Sequence, residues 1–470
     1  MRVLLVMPDY PKTYRYGPHT DITFPPLGLE CIAAQVQDIA ETKIIDNRLI
    51  NLTRIKEEIE QFQPNYVGLS CTYSIQIYHV NSIAKIAKEN GATTVVGGWH
   101  PSLLPHETLA FPWIDMVVRS EGDLTFRELI QKNGPIGVKG LSYRNNGSVI
   151  HNPDRELADL NQFPLPARNL RSQEANSRYK FFGLATDCIE TSKGCPFKCT
   201  FCAIHNFYRH KYRYRSISHI MKELRQIRKK RRYIYIIDDN FVVNPKHVKG
   251  LCDAIIRERL NMFFMTNARV DMVTKRPDVF KRMAKAGFIF LLLGLESFSD
   301  KSLQNLNKQF RFQEIKDAIK ILHNLGFIIQ GNIILGANFD DTEQDLESTI
   351  EIAKFLDLDM PTFSLLTPYP KTELMEEVQE KDLLLTKDWR KFNWFTPTMK
   401  YQHLTSDQLQ KYLDKAYAEV PFFKNPIPRF GRMLKTRGLP FFLSRVCNFP
   451  TLKATFSGFK KLVTHNSKTN

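Results

Sequence analysis

Three cysteines, Cys195, Cys199 and Cys202, stand at C-x3-C-x2-C spacing in the stretch Cys195-Pro-Phe-Lys-Cys199-Thr-Phe-Cys202. It follows a strand-like run over 184–192 and Gly194. Thiolates at this spacing can ligate three irons of a cubane iron–sulfur cluster. A fourth protein ligand would close the cluster; three leave one iron open to a cofactor or substrate. Zinc is the competing reading, with Cys188 or His205 as a fourth ligand. Its usual forms need a second C-x2-C or an H-x3-H pair, and neither lies nearby. The triad ends the first of six strand–helix units, a position that favours the cluster.

A chain of 470 residues has room for two or three domains with well-buried cores. Eight cysteines make no disulfide framework at this length. A low-potential cluster needs a reducing compartment, so Cys31, Cys71, Cys188, Cys252 and Cys447 are expected as reduced thiols in a cytoplasmic protein. The opening MRVLLVMPDY reads as a strand, not a signal peptide. No run of 18 apolar residues predicts a spanning helix. The formal charge of +17 gathers at 209–215 (RHKYRYR), at 228–232 (RKKRR) and at the C-terminal end. Nucleic acid, an anionic membrane surface, acidic substrates and a plain solvated surface all fit such a charge.

The apolar run over 2–7 (RVLLVM) predicts a buried parallel strand. A helix from Pro25-Pro26-Leu27-Gly28-Leu29 to about residue 40 follows, with proline in its first turn. Strands are expected at 43–46, 65–70, 93–98 and 115–119, with helices at 52–62, 80–90 and 124–132. This alternation predicts a doubly wound, Rossmann-like sheet, which binds ligands at the carboxyl ends of its strands. Those ends carry Ser70-Cys71-Thr72-Tyr73, Gly97-Gly98-Trp99-His100-Pro101 and Ser120-Glu121-Gly122-Asp123. G-x-G-x-x-G is absent, which argues against a dinucleotide site. Residues 139–153 read as a hairpin turning at Asn145-Asn146-Gly147, and 157–170 as a proline-containing linker.

From 181 the alternation resumes, with strands at 184–192, 233–238, 262–267, 288–294, 328–335 and 362–366. Six repeats predict a partial (β/α)6 barrel with its active residues at the carboxyl ends of the strands. Those ends carry Asp238-Asp239-Asn240, Asn267-Ala268-Arg269, Gly294-Leu295-Glu296-Ser297, Gly331 with Gly336, and Thr367-Pro368-Tyr369-Pro370. The expected divisions are 1–135, a hairpin and linker over 136–180, the barrel over 181–395, and a basic, mainly helical region over 396–470. Beyond Glu419 there are ten Lys/Arg and no acid, interleaved with large apolar residues. A peripheral membrane anchor is the preferred reading of that composition; a helical cap and a nucleic-acid contact are its alternatives.

With Phe201 before its last cysteine, the triad resembles the signature of the radical S-adenosylmethionine (SAM) superfamily. Residues 1–130 resemble the cobalamin-binding domain found ahead of many such enzymes, on PPLGL, VGLS, VVGGWHPS and RSEGD. The resemblance implies a 4Fe-4S cluster whose open iron takes the amino and carboxylate groups of SAM. Reductive cleavage of SAM then yields a radical that abstracts hydrogen from unreactive C–H bonds. It places Ser70, Thr72, Gly97, Gly98 and Glu121 near the corrin or its nucleotide tail. The D-x-H-x-x-G motif is missing, which implies base-off cobalamin without a histidine ligand; His100 is expected to cap its turn or border the tail. The SAM shell implied comprises Phe201, Asp238, Asp239, Asn267, Arg269, Glu296 and Ser297. Asp239 and Glu296 would supply acceptors, Arg269 a fixed charge and Phe201 a stacking face. A structural ion pair is the alternative for Glu296 and Arg269. Lys308 would join the shell or be a solvated helix residue. The family's G-G-E segment is replaced by IIDDNF.

Both halves together resemble the branch of cobalamin-dependent radical SAM enzymes that holds hopanoid methylases and the anaerobic magnesium-protoporphyrin monomethyl ester cyclase. This implies methylation of an unactivated carbon in an apolar small molecule or lipid. Radical cyclisation or rearrangement without methyl transfer is the alternative. Methylthiolation of tRNA is disfavoured because only Cys31 and Cys71 precede residue 150. A cobalamin sensor is disfavoured by the intact triad. The implied partner is an electron donor such as flavodoxin or ferredoxin; the basic C-terminal composition adds peripheral contact with the inner face of the membrane as an expectation, and no nucleic acid is expected.

Overall fold

The computed structural model describes residues 1–10, 23–181 and 183–421. The ten basic residues beyond Glu419, and the apolar residues among them, lie outside the described residues.

The first sheet holds β1 (Arg2–Met7), β2 (Glu41–Asp46), β3 (Tyr66–Ser70), β4 (Thr93–Gly97), β5 (Met116–Val118), β6 (Leu141–Asn145) and β7 (Ser148–His151). Their order is β2-β1-β3-β4-β5-β6-β7. The first five are parallel and the last two antiparallel. Val3 to Met7 are buried on both faces, which is why β1 is apolar without alternation. The predicted hairpin forms and extends this sheet. Asn146 and Gly147 take the positive φ values, 48° and 82°, that a two-residue turn demands. β1 lies between β2 and β3, so the strand order reverses there and opens a crevice at the carboxyl ends.

The second sheet holds β8 (Lys180–Phe181), β9 (Leu184–Ile189), β12 (Tyr233–Ile236), β13 (Phe263–Arg269), β14 (Phe288–Glu296), β15 (Ile328–Leu335) and β16 (Met360–Leu365). A separate ribbon pairs β10 (Ser192–Lys193) with β11 (Arg213–Tyr214). The large sheet runs β16-β15-β14-β13-β12-β9-β8, six parallel strands in chain order with the short β8 antiparallel at the edge. This is the predicted half barrel; β8, two residues long, carries no periodic signal. The strand period of two divides the side chains. Phe264, Leu291, Leu293, Ile329, Ile333 and Phe363 pack in the large core with the helices. Met265, Phe290 and Met360 gather with Tyr235, Leu292 and Ile328 in a separate cluster on the inner face.

The helix Ser406–Glu419 buries Leu409, Leu413 and Ala416. Tyr417 Oη donates to the Phe363 carbonyl of β16 at 2.7 Å. The described part of the C-terminal region is therefore a cap on the barrel. Among the described residues no helix is long and apolar enough to cross a membrane.

A buried ionic chain joins the lobes. Glu30, in the helix Leu27–Val36, pairs with Arg171, which reaches Asp187 of β9 at 2.8 Å. Arg168 bonds Glu223 at 2.6 Å. Each buried charge has an opposite partner, which such burial requires. Trp389 and Phe392, from beyond the barrel, pack into the core of the first lobe.

Candidate active site

The cysteine loop leaves the barrel at the carboxyl end of β9. Its two ends are closed by the β10–β11 pair, Lys193 opposite Arg213. At its root the fully buried Asp238 accepts from the Thr191 amide at 2.6 Å and from the Thr191 and Ser192 hydroxyls at 2.5 Å. Asp239 accepts from the Gly194 amide at 3.0 Å. These two carboxylates tie β12 to the loop; Asp238 has spent its oxygens on that task.

Burial pushes Asp239 up to about 7. Folded Asp239 then keeps its proton where the unfolded chain, at 3.8, has lost it. Its stabilising contribution is complete below 3.8 and is lost as pH rises through 7. Thermal unfolding of the metal-free chain should show Tm falling from pH 5 to pH 8. Asp239→Asn should fall less, because the amide oxygen still accepts from Gly194 and never ionises. Parallel curves for the two proteins would refute the assignment.

Arg269 reaches the loop from the end of β13. Its Nη1 lies 3.7 Å from Cys199 Sγ, its Nε donates to Asp271 at 2.9 Å, and its Nη2 donates to the Lys308 carbonyl at 2.5 Å. The guanidinium stacks on the Phe197 ring at 3.6 Å. Each of its three nitrogens is engaged beside the cluster cysteine. Glu296 pairs with Lys308 at 2.9 Å, so the expected carboxylate acceptor already holds a cation. Lys308 is buried, not solvated, and lies 5.8 Å from the Phe201 ring. Burial works against its charge, but Glu296 and the Cys199 sulfur outweigh it and hold its pKa up. Glu296 sits at φ +62° where the β14–β15 register slips, which turns its carboxylate toward Lys308. Asn267 accepts from Tyr235 Oη and donates to the Asp238 carbonyl, both at 3.1 Å. Ser297 Oγ accepts from the Ser299 amide at 3.1 Å, a local turn bond.

Burial pushes the Cys195 thiol up, and the Cys202 thiol to about 12. Iron would hold them as thiolates. Tetrahedral zinc, with bonds near 2.3 Å, would draw the sulfurs to about 3.8 Å of one another. The three thiols do not all lie within 4.8 Å of one another; among the described residues only Glu347, Glu351 and Glu419 form such a group. A cubane spreads its ligands over three corners, and the donor set fits it.

A half-open cleft with a cavity volume of about 230 Å³ lies between the lobes. Ser70, Thr72, Gly97, Gly98 and Glu121 all line it, as their places at strand ends predict. It runs down the first sheet to Gly68, where a Cβ would meet Leu5 Cδ2 at 2.6 Å and Phe126 at 3.5 Å. From the barrel lobe come Glu190, Lys193, Phe207 and Tyr208. These four are absent from the expected set, although the strand-end rule applied to β9 points to Glu190 and Lys193. Lys193 Nζ is 3.5 Å from Glu121, 3.5 Å from Glu190 and 3.7 Å from Asp123. Burial opposes its charge, and the three carboxylates more than compensate. Burial pushes Glu190 up to about 7. Ser120 Oγ donates to the Phe207 carbonyl at 3.3 Å, a second bridge across the cleft. His100 lines no part of this cavity. Its Nδ1 is 2.9 Å from Ser74 Oγ, its ring meets Trp389 edge-on, and burial lowers its pKa to about 4. The glycine-lined depth leaves room for backbone to approach a bulky group closely.

Two sequence families match the two lobes: the B12 binding domain over residues 20–130 and the Radical SAM superfamily over 189–353. An uncharacterized methyltransferase of Pyrococcus horikoshii, PH0819, is 35% identical over 91% of this chain and 93% of its own. The chain belongs to the cobalamin-dependent radical SAM family. Within it, the anaerobic magnesium-protoporphyrin IX monomethyl ester cyclase of Rubrivivax gelatinosus is 26% identical over 90% of this chain and 80% of its own. The hopanoid C-3 methylase of Methylococcus capsulatus is 28% identical over 78% and 71%. The fold matches the radical SAM methyltransferase TsrM of Kitasatospora setae, solved with cobalamin and a [4Fe-4S] cluster, at TM-score 0.71, covering 97% of this chain and 99% of that one at 16% identity. Membership of the family makes this protein an enzyme.

Proposed function

We propose that the chain methylates an unactivated carbon of a hydrophobic substrate. Cobalamin would occupy the cleft, base-off, and the cluster with its SAM would occupy the Cys195–Cys202 loop. One observation carries this reading. The cleft's far wall is the same segment that holds the cysteine triad, with Lys193 before it and Phe207 and Tyr208 after it. When bound, these groups supply hydrogen-atom abstraction and a transferable methyl. The chain's residues orient them and keep water out.

An aromatic run favours an apolar substrate. Tyr73 meets Trp99 at 6.4 Å and Trp394 at 5.2 Å; Trp99 meets Phe207 at 6.0 Å; Tyr369 meets Trp394 at 5.9 Å. It leads from the cleft to the mouth of the barrel at β16. We read the lobes as 1–135, with the hairpin of the 136–180 segment added to its sheet, and 181–395; within 396–470 the helix Ser406–Glu419 caps the barrel, and peripheral membrane contact is assigned to the basic residues beyond it. Ring closure without methyl transfer is the second reading, favoured by the likeness to the cyclase. Anaerobic reconstitution with iron, sulfide and cobalamin, then mass spectrometry of host lipids with and without the gene, tests the first. A methylated lipid and S-adenosylhomocysteine are expected. A product without methyl gain selects ring closure.

In the reconstituted protein Arg269 should raise the cluster's potential, since donors to cluster sulfur do so. Arg269→Gln should shift the potential to more negative values at unchanged iron content, read by EPR during a redox titration. An unchanged midpoint would limit Arg269 to packing.

A further inference from the structure

Between Glu190 and Glu223 the chain has no acidic residue, yet it carries Lys193, Lys198, Arg209, Lys211, Arg213, Arg215 and Lys222. The cysteine triad lies inside this stretch. Several of these charges are neutralised internally: Lys193 and Arg213 by Glu121, Arg215 by Glu223, and Arg209 by Asp154 at 3.4 Å. Lys198 and Lys211 are exposed and make no ion pair among the described residues. Lys198 stands between two of the cluster cysteines, and its carbonyl accepts from Asn307 Nδ2 at 2.7 Å. The Lys211 carbonyl packs against Gly194, next to Cys195. A third exposed cation, Lys371, comes from beyond β16. Its carbonyl accepts from Asn206 Nδ2, and three residues later the Leu374 amide donates to the Thr200 carbonyl at 3.0 Å. Two of these exposed lysines thus belong to the cysteine loop itself, and the third comes from a distant segment held against its outer side. Glu373 is the acid beside them.

We propose that this rim is the docking surface of an acidic one-electron carrier protein. The proposal rests on the reading of the triad as a cluster site. The inner side of the loop faces Arg269, Lys308 and the cavity, so an outside donor must approach over the rim. The step is balanced by one electron: the carrier is oxidised by one and the cluster reduced by one, with no bond made or broken. Unpaired cations around the entry point steer an acidic partner and set its orientation.

The reconstituted full chain provides the test, with a flavodoxin hydroquinone as the protein donor and dithionite as the small one. The double variant K198E/K371E should slow cluster reduction by flavodoxin on the order of tenfold or more at low ionic strength. Dithionite should still develop the same final EPR signal in that variant. The wild-type rate should fall as salt rises. K229E/K230E reverses two exposed charges after the helix Ile217–Arg228, at the opposite end of the barrel, and should leave the rate within about twofold, because charges well beyond a Debye length are screened. An unchanged flavodoxin rate in K198E/K371E overturns the docking surface, and so does equal slowing by the distant pair. Loss of binding to an RNA oligonucleotide at an unchanged flavodoxin rate would give the patch to nucleic acid instead. A wild-type chain in which dithionite develops no cluster signal refutes the cluster reading itself, which sets that failure apart from failed docking.

Discussion

Gly194→Ala is expected to empty the cysteine loop of iron while the chain still binds cobalamin. Gly194 holds φ +87°, and a Cβ there would lie 2.1 Å from the Lys211 carbonyl oxygen. The left-handed backbone alone costs an alanine about 1–2 kcal/mol, which is on the order of a tenfold loss of the closed form. The overlap adds to this, because its partner is backbone and has no rotamer to change. Relief requires the β10–β11 pair to separate, and that pair sets the span across which Cys195 and Cys202 face each other. The Gly194 amide also holds Asp239, so the root of the loop loosens too. Iron and sulfide counted after anaerobic reconstitution should fall at least tenfold, with cobalamin absorbance retained. Full iron loading would show that the loop closes without this glycine.

Gly68→Val is expected to do the reverse. Gly68 lies mid-strand in β3, where packing alone would favour a branched apolar residue. Its missing side chain is what lets the cavity run down the sheet toward Leu5 and Phe126. Valine would fill that depth. Its Cβ meets the tip of the Leu5 side chain, which can turn, so overpacking should cost about 1–3 kcal/mol and leave the fold in place. Cobalamin binding should weaken on the order of a hundredfold, the effect of losing roughly 3 kcal/mol of contact. Iron loading should match wild type. Equilibrium dialysis against hydroxocobalamin, beside circular dichroism, checks this. Unchanged cobalamin affinity would move the corrin tail elsewhere. Together the two variants should uncouple the cofactors, each emptied without the other.

Much of this site is legible in the order of residues alone. The triad declares itself by spacing, because three ligands for one cluster must be close in the chain if a single loop is to present them. The polar strand ends follow from alternation, since a parallel sheet presents all its carboxyl ends to one side. Ser70, Thr72, Gly97, Gly98 and Glu121 are reached in this way and line one cavity. Other residues are not legible. Lys308 follows a helix in an ordinary polar stretch, and nothing local marks it as buried against Glu296. Arg269 reads as a fixed charge for SAM or a structural ion pair, and nothing local shows that its three nitrogens meet Cys199, Asp271 and the Lys308 carbonyl. Trp389 and Phe392 look like part of a basic aromatic stretch, and they pack into the other lobe.

The division has a physical cause. Strand, helix, turn and ligand spacing depend on neighbours a few residues apart, so the order of residues determined both sheets, the hairpin and the cysteine loop. Which side chains meet across the cleft depends on how two independently formed sheets are set against each other. The ionic chain from Glu30 to Glu223 and the seat of Trp389 fix that setting, through contacts between segments far apart in the chain, as between Glu30 and Arg171. Only the folded chain therefore decided that Phe207 and Tyr208 line the cleft, and that Lys371, from beyond β16, stands beside the cysteine loop that carries Lys198 and Lys211.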